Sequence, residues 1–445
     1  MPTDPLDLLT DLLGRAKRAG ADDADAVYFE SASLSVAQRL GQSEKLERSE
    51  SRDLGLRVLI GKQQAMVSST DLGTKALDEL VERAVAMARA APEDPHCGIA
   101  RPEQITTDGP ELDICDPDEP SAESLIEVAG QAEDAARAVA GVTNSEGAEA
   151  GWSRSSIALA ATNGFAHGYA VSSHSLAASV LAGEGTAMER DYDFSTAVHR
   201  ADLRSAGEIG RGAGERAVRR LGARKMETAQ VPIVYDPRVS GGLVRHLAGA
   251  INGVAIARET SFLKDSMSQR VFAPGIAIID DPHRLRGLRS KPFDAEGIAN
   301  ARRSLIEDGV LMSWILDLAS SRKLGVETTG NAARGTASPP SPGATNLYME
   351  PGEATPAELT ADIDSGLYVT ELIGMGINQI TGDYSRGATG FWIENGEIAY
   401  PVSELTVAGN LKDMFANLTP ANDLEFRRGT DAPTIRIEGM TVAGI

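Results

Sequence analysis

The run GLYVTELIGMGINQITGDYSRGATGFWIENGEIAYPV, residues 366–402, decides the fold class. Its strand-like segments, LYVTEL and FWIENGEIAYPV, are separated by glycine turns, and Asn395-Gly396 is the dipeptide of a tight hairpin. The same grammar recurs upstream. Gly61-Lys62 splits two strand-like runs in residues 55–69, Asn163-Gly164 joins residues 155–161 to 166–181, and Glu307-Asp308-Gly309 divides another hairpin. Residues 24–37, 231–236 and 271–279 also read as strands. Hairpins imply antiparallel pairing, and the intervening amphipathic stretches imply helices. The expected class is α+β: largely antiparallel sheets with flanking helices, and a β-rich C-terminal domain.

The helical stretches set the domain plan. Leu6, Leu9, Leu13 and Ala16 recur at helical spacing in residues 5–19, and Leu77, Leu80, Val81, Ala84, Val85 and Ala88 form a stripe in residues 75–91. Further helices are expected over 122–140, 203–221 and 241–256. Thr355-Pro356-Ala357-Glu358 combines an N-cap threonine, a first-turn proline and a third-position glutamate, a capping box. The order helix, strands, helix occurs twice, which suggests a divergent duplication. The reading is an N-terminal α+β domain over 1–92, a Pro- and acid-rich linker over 93–120, a central α+β domain over 121–225 and a β-rich domain over 226–445. Residues 331–352 read as a long polar loop, of the kind that is usually functional or mobile.

The chain has 445 residues, with 64 acidic against 43 basic side chains and a formal charge of −21. That charge repels phosphate backbones, so no nucleic-acid partner is expected. The first twenty residues lack a basic segment followed by an apolar one, and no apolar window approaches a membrane span. A cytoplasmic protein with no membrane partner is expected, its two cysteines, Cys97 and Cys115, being free thiols.

Local chemical signatures are sparse. No two of the six histidines lie three to five residues apart, so no helical pair can chelate a metal. The glycines at 210–214 sit inside a helical pattern, not after a strand, which argues against a dinucleotide loop. No G-x-S-x-G elbow is present. Asp294 and Glu296 precede Gly297 and read as a polar turn more readily than as an acid/base pair. Composition and spacing alone give a multidomain α+β protein without a stated activity.

Six segments together go further: PFDAEG (292–297), LIEDGVL (305–311), TGNAARG (329–335), TNLYMEPGEAT (345–355), the opening run 366–402 and AGNLKDM (408–414). With GLRVLIGKQQAMVSSTDL at 55–72, they resemble the TldD/PmbA metalloprotease family, in its PmbA (or TldE) branch, in order and over nearly the whole chain. The resemblance implies a cytosolic protease system in which a TldD-type subunit holds zinc on an HExxxH helix and through a cysteine near its C-terminus. It also implies that a PmbA-type subunit pairs with it, and that the complex cleaves unfolded peptides, matures peptide antibiotics and degrades an antitoxin.

This sequence departs from the zinc-binding pattern twice. The corresponding helix reads LVRHLAGAING, residues 243–253, with Arg245, His246, Gly249 and Ala250 but neither a glutamate nor a second histidine. No cysteine occurs near the C-terminus. The expectation is therefore a non-catalytic subunit with no catalytic residue, metal or cofactor of its own, inactive alone, with zinc in its partner. Asn331, Arg334, Asn346, Asn378 and Asp383 are the candidates for peptide or partner contact, on the loop at 331–352 and the turn at 374–390. The rival expectation is a stand-alone homodimer that binds peptides without cleaving them.

Overall fold

The computed structural model describes residues 4–107 and 109–444. Helix α1 (Pro5–Arg18) starts where the Asp4 side chain accepts the backbone N–H of Leu6, and it buries Leu9, Leu12, Leu13 and Ala16. Three strands follow, β1 (Asp23–Arg39), β2 (Gln42–Ile60) and β3 (Gln63–Ser69), then helix α2 (Thr74–Ala90). The next unit repeats this order with α3 (Ala122–Arg137), β4 (Val142–Ala161), β5 (Ala166–Ala182), β6 (Glu189–Ala197) and α4 (Ala206–Arg219). The six strands form one antiparallel sheet in the order β3-β2-β1-β4-β5-β6. β1 and β4 pair from Asp25 opposite Ala161 to Gln38 opposite Ala148, so the two units are symmetric about that seam.

Strand alternation assigns the faces. Ala24, Ala26 and Tyr28 of β1 pack with α1 and α2, while Leu34 and Val36 pack with α3 and α4. All four helices therefore cover one face. The odd-numbered residues Asp25, Val27 and Phe29 look the other way, toward the C-terminal region, where Val27 and Leu159 pack on Phe293. The closeness of this docking explains one glycine. A Cβ on Gly55 would lie 2.3 Å from the carbonyl oxygen of Thr336.

The C-terminal region begins with β7 (Ala229–Tyr235), followed by helix α5 (Pro237–Ala250) and a short helix, α6 (Gly253–Ala257). Next come β8 (Ile278–Asp281), β9 (Arg303–Glu307), β10 (Val310–Leu311), β11 (Ala332–Ala333), β12 (Ser341–Pro342) and β13 (Asn346–Met349). The last strands are β14 (Ser365–Ile373), β15 (Asp383–Glu394), β16 (Glu397–Asn410), β17 (Leu418–Pro420), β18 (Thr430–Asp431) and β19 (Ile435–Ala443). One sheet runs β16-β15-β14-β7-β19-β17, with β16 also bonded to β19 so that it curls back on itself. The other runs β10-β9-β8-β13-β18. Helix α5 gives Leu243, Val244, Leu247 and Ala250 to the core shared by both. The fold is α+β with predominantly antiparallel sheets, as the hairpin grammar predicts. Among the described residues no helix is long and apolar enough to cross a membrane, and both cysteines are free.

Several elements differ from the expectation. The helix expected over 241–256 breaks at Ile251–Asn252, because the Asn252 side chain accepts the N–H of Val254 and caps a new helix. The strand expected over 271–279 is confined to Ile278–Asp281, since Val271 and Phe272 give their N–H groups to the Gly309 carbonyl across a loop. The polar loop at 331–352 contains a β11–β12 ladder, and β13 enters a sheet. Residues 42–53, not read as strand, extend β2 far beyond the end of its pairing with β3.

Candidate functional site

Helix α5 exists because Asp236 accepts the N–H of Arg238 at 2.9 Å and Pro237 occupies the first turn. Its inner stripe is apolar, and Arg245, His246 and Gly249 lie on the other side. Ala250 is fully buried in the core. The His246 ring stands 6.0 Å from that of Tyr384, and Gly249 lies against the Gln379 side chain. Burial, then the charges of Arg386 and Arg245, push the His246 pKa down to about 4. Arg245 is lowered too, by burial and by Arg428, Arg289 and Arg386. The carboxylate within this cluster is Asp431, which accepts the backbone N–H groups of Arg427 and Arg428; burial raises it to about 6.

Zinc does not fit these residues. It needs three or four neutral or anionic donors, and His246 lies beside the guanidinium groups of Arg386 and Arg245, which repel a dication. Among the described residues no three His, Cys, Asp or Glu side chains are grouped to hold a metal ion.

The five contact candidates do not converge. Asn378 and Asp383 lie on the exposed turn beside α5, where the Asn378 side-chain amide oxygen accepts the Ile380 N–H and the Thr381 hydroxyl donates to Asp383 at 2.6 Å. This turn also exposes Ile373, Ile380 and Met375, the last 96% exposed. Asn331 and Asn346 are buried and tie loops to the five-stranded sheet: Asn331 donates to Asp280 at 2.7 Å, and Asn346 donates to the Asp281 carbonyl and to Ser290. Arg334 is buried at the junction with the first sheet, where it ion-pairs with Asp25.

That junction holds charged groups the sequence reading did not connect. Asp25 and Arg57 face each other across β1 and β2, with Arg57 Nε 2.8 Å from the carboxylate. Burial pushes Asp25 up, but Arg334 and Arg57 more than offset this and hold it below the usual carboxylate range. Asp294 spends its oxygens on the N–H groups of Glu296, Ile298 and Ala332. Glu296 accepts the Leu318 N–H, and burial, with Asp294 close by, raises it to about 8. The available signal was a charge inside each of two apolar strands, DADAVYF and GLRVLI.

Comparison with known proteins covers the whole architecture. Models of the PmbA/TldA metallopeptidase match in three parts: domain 1 over residues 24–88, the central domain over 115–221 and the C-terminal domain over 228–444. Metalloprotease PmbA of Escherichia coli O157:H7 is 38% identical over 95% of this chain and 93% of its own. The Haemophilus influenzae PmbA homolog is 35% identical over 96% and 94%. A Bacteroides thetaiotaomicron protein solved as a modulator of DNA gyrase superposes with a TM-score of 0.92 over the full length of both chains, at 27% identity. TldE from Thermococcus kodakarensis superposes with a TM-score of 0.88 over 98% of this chain and all of its own, at 20% identity, and shares the fold.

Proposed function

The chain belongs to the PmbA/TldD metallopeptidase family, and we propose that within it the chain is the non-catalytic partner of a TldD-type zinc subunit. The observation that carries this reading is the outer face of α5. Where the family resemblance places metal ligands, this helix presents one histidine among arginines, and its next inward turn is the fully buried Ala250. A subunit so built contributes surface and leaves the metal-bound water to its partner.

Two surfaces suit that role. The exposed apolar turn with Ile373, Met375 and Ile380 lies beside α5 and is the face this reading gives to the partner. On the side away from β1, residues 42–53 of β2 have no strand partner among the described residues, and an extended peptide can pair with that edge regardless of its sequence. Unfolded peptides in the cytoplasm, including antibiotic precursors and antitoxins, are the substrates this reading assigns to the complex.

The test is hydrolysis of an unstructured peptide by this chain alone, by a zinc-bearing family member alone and by the two co-purified, with zinc content measured in each. Cleavage by the pair and none by this chain, which carries no zinc, is the expected result. Chelator-sensitive cleavage by this chain alone would overturn the assignment. A native mass showing only a homodimer in the presence of the zinc-bearing member would favour the stand-alone binder.

A further inference from the structure

The face of the first sheet opposite its helices does not meet the C-terminal region everywhere. Between them lies a cavity of about 210 Å³. This is below the roughly 300–1,000 Å³ of pockets for drug-sized ligands, so an occupant would be the size of a single residue. Its wall is mainly apolar, with Phe29 and Ile157 from the sheet and Phe293 set edge-to-face against Tyr169 at 5.3 Å.

Two cations interrupt that wall. Lys291 gives one hydrogen bond, 2.9 Å to the Ala332 carbonyl. Among the described residues no carboxylate lies within ion-pair distance of its ammonium group; Asp294 and Asp280 act on it from farther away. The Arg334 side chain is 1% exposed. Its terminal nitrogens reach Asp25 and the Met66 sulfur, and its Nε is wholly enclosed by protein, so Arg334 gives the cavity no free donor. Asp294 also lines the cavity, but both its oxygens already accept backbone N–H groups. Buried donors left without acceptors are costly, and a built structure usually satisfies them. The cavity thus offers the unspent N–H donors of Lys291 on one side and aromatic surface on the other.

We propose that this cavity binds a small carboxylate with an aromatic body, the carboxylate accepting from the Lys291 ammonium group and the ring packing against Phe293 and Tyr169. Such a group occurs in a free arylalkanoic acid and in the C-terminal residue of a peptide. Entry is past Ala333, the exposed member of the lining. The proposal is independent of the subunit assignment above.

Calorimetric titration of the full chain with 3-phenylpropionate, 3-phenylpropionamide and N-acetyl-glycyl-phenylalanine tests it. The acid is expected to bind at least about tenfold more tightly than the amide, because only the acid makes charge-assisted hydrogen bonds. Lys291→Met should weaken acid binding by a similar factor. Ala333→Trp, at the exposed mouth, should abolish binding with an unchanged melting temperature. Binding of the free acid or of the peptide identifies which source the site serves, and either supports the proposal. Equal binding of acid and amide to the unmodified chain, or no binding of either acid at about 10 mM, overturns it without depending on any variant.

Discussion

Replacing Asp25 by Asn removes one carboxylate and leaves two buried cations. Arg57 and Arg334 both pair with Asp25, and their side chains are 5% and 1% exposed. Breaking a buried pair by removing one partner costs about 3–5 kcal/mol, because the surviving charge is desolvated and uncompensated. Arg334→Met is milder. It leaves Asp25 bonded to Arg57 across the strand pair, and it removes the cation that Asp25 holds at the junction. One lost charged hydrogen bond of this kind costs about 1.5–3 kcal/mol. The double variant should be more stable than the sum of the singles predicts, since removing Arg334 deletes one of the charges that Asp25→Asn orphans. Urea unfolding followed by tryptophan fluorescence measures all three, with Trp152 in the first sheet and Trp392 in the C-terminal region reporting on each side. If the chain unfolds in two steps, the Arg334 variant should shift chiefly the step that separates the two regions. A cost below about 1 kcal/mol for Asp25→Asn, or strict additivity in the double variant, would refute the reasoning.

Two buried groups give opposite pH dependences. Glu296 has a folded pKa of about 8 against an ordinary 4.5, so the folded state holds a proton that the unfolded chain releases. Stability from this group is full below pH 4.5 and falls as pH rises toward 8, by on the order of 3 kcal/mol at pH 7; Glu296→Gln should flatten this fall in melting scans. His246 has a folded pKa of about 4 against 6.5, so its contribution is full above 6.5 and is lost as pH falls toward 4. His246→Leu should reduce the acid-side loss by roughly 3 kcal/mol at most, and an unchanged acid limb would show that the imidazole is solvated. Gly55→Val should disturb docking of the C-terminal region, because its Cβ would meet the Thr336 carbonyl; faster proteolysis between the regions is the readout. Met375→Glu should weaken association with a zinc-bearing partner in native mass spectra while leaving the melting temperature within about 1 °C.

The sequence displays most clearly what is decided locally. The Thr355 capping box and the turns at Asn163-Gly164 and Asn395-Gly396 each fix a few adjacent residues, and the structure has each where the spacing puts it. Residues 42–53 were illegible for a physical reason. This half of β2 is exposed, so it carries no apolar alternation and its charged side chains look like loop. Asn331 and Asn346 misled in the opposite sense: they are turn-forming residue types that here serve as buried cross-links. The surroundings of Arg245 and His246 were unreadable because Arg386 acts on both, and Arg289 and Arg428 act on Arg245, from three distant segments.

The same helix shows why architecture says so little about catalysis in this family. Leu243, Val244, Leu247 and Ala250 bind α5 to both sheets, and their apolar stripe is all that the core demands of it. Arg245, His246 and Gly249 lie off that stripe, so exchanging them alters the electrostatics of the face at little expense to packing. A chain can therefore lose a set of metal ligands there while its backbone still superposes closely on that of relatives. Within such a fold, the assignment of a catalytic or non-catalytic role rests on the donor atoms of one exposed helical face and on the charges brought beside it. In this chain those charges are guanidinium groups, whose repulsion of a dication is the ground for the non-catalytic role proposed above.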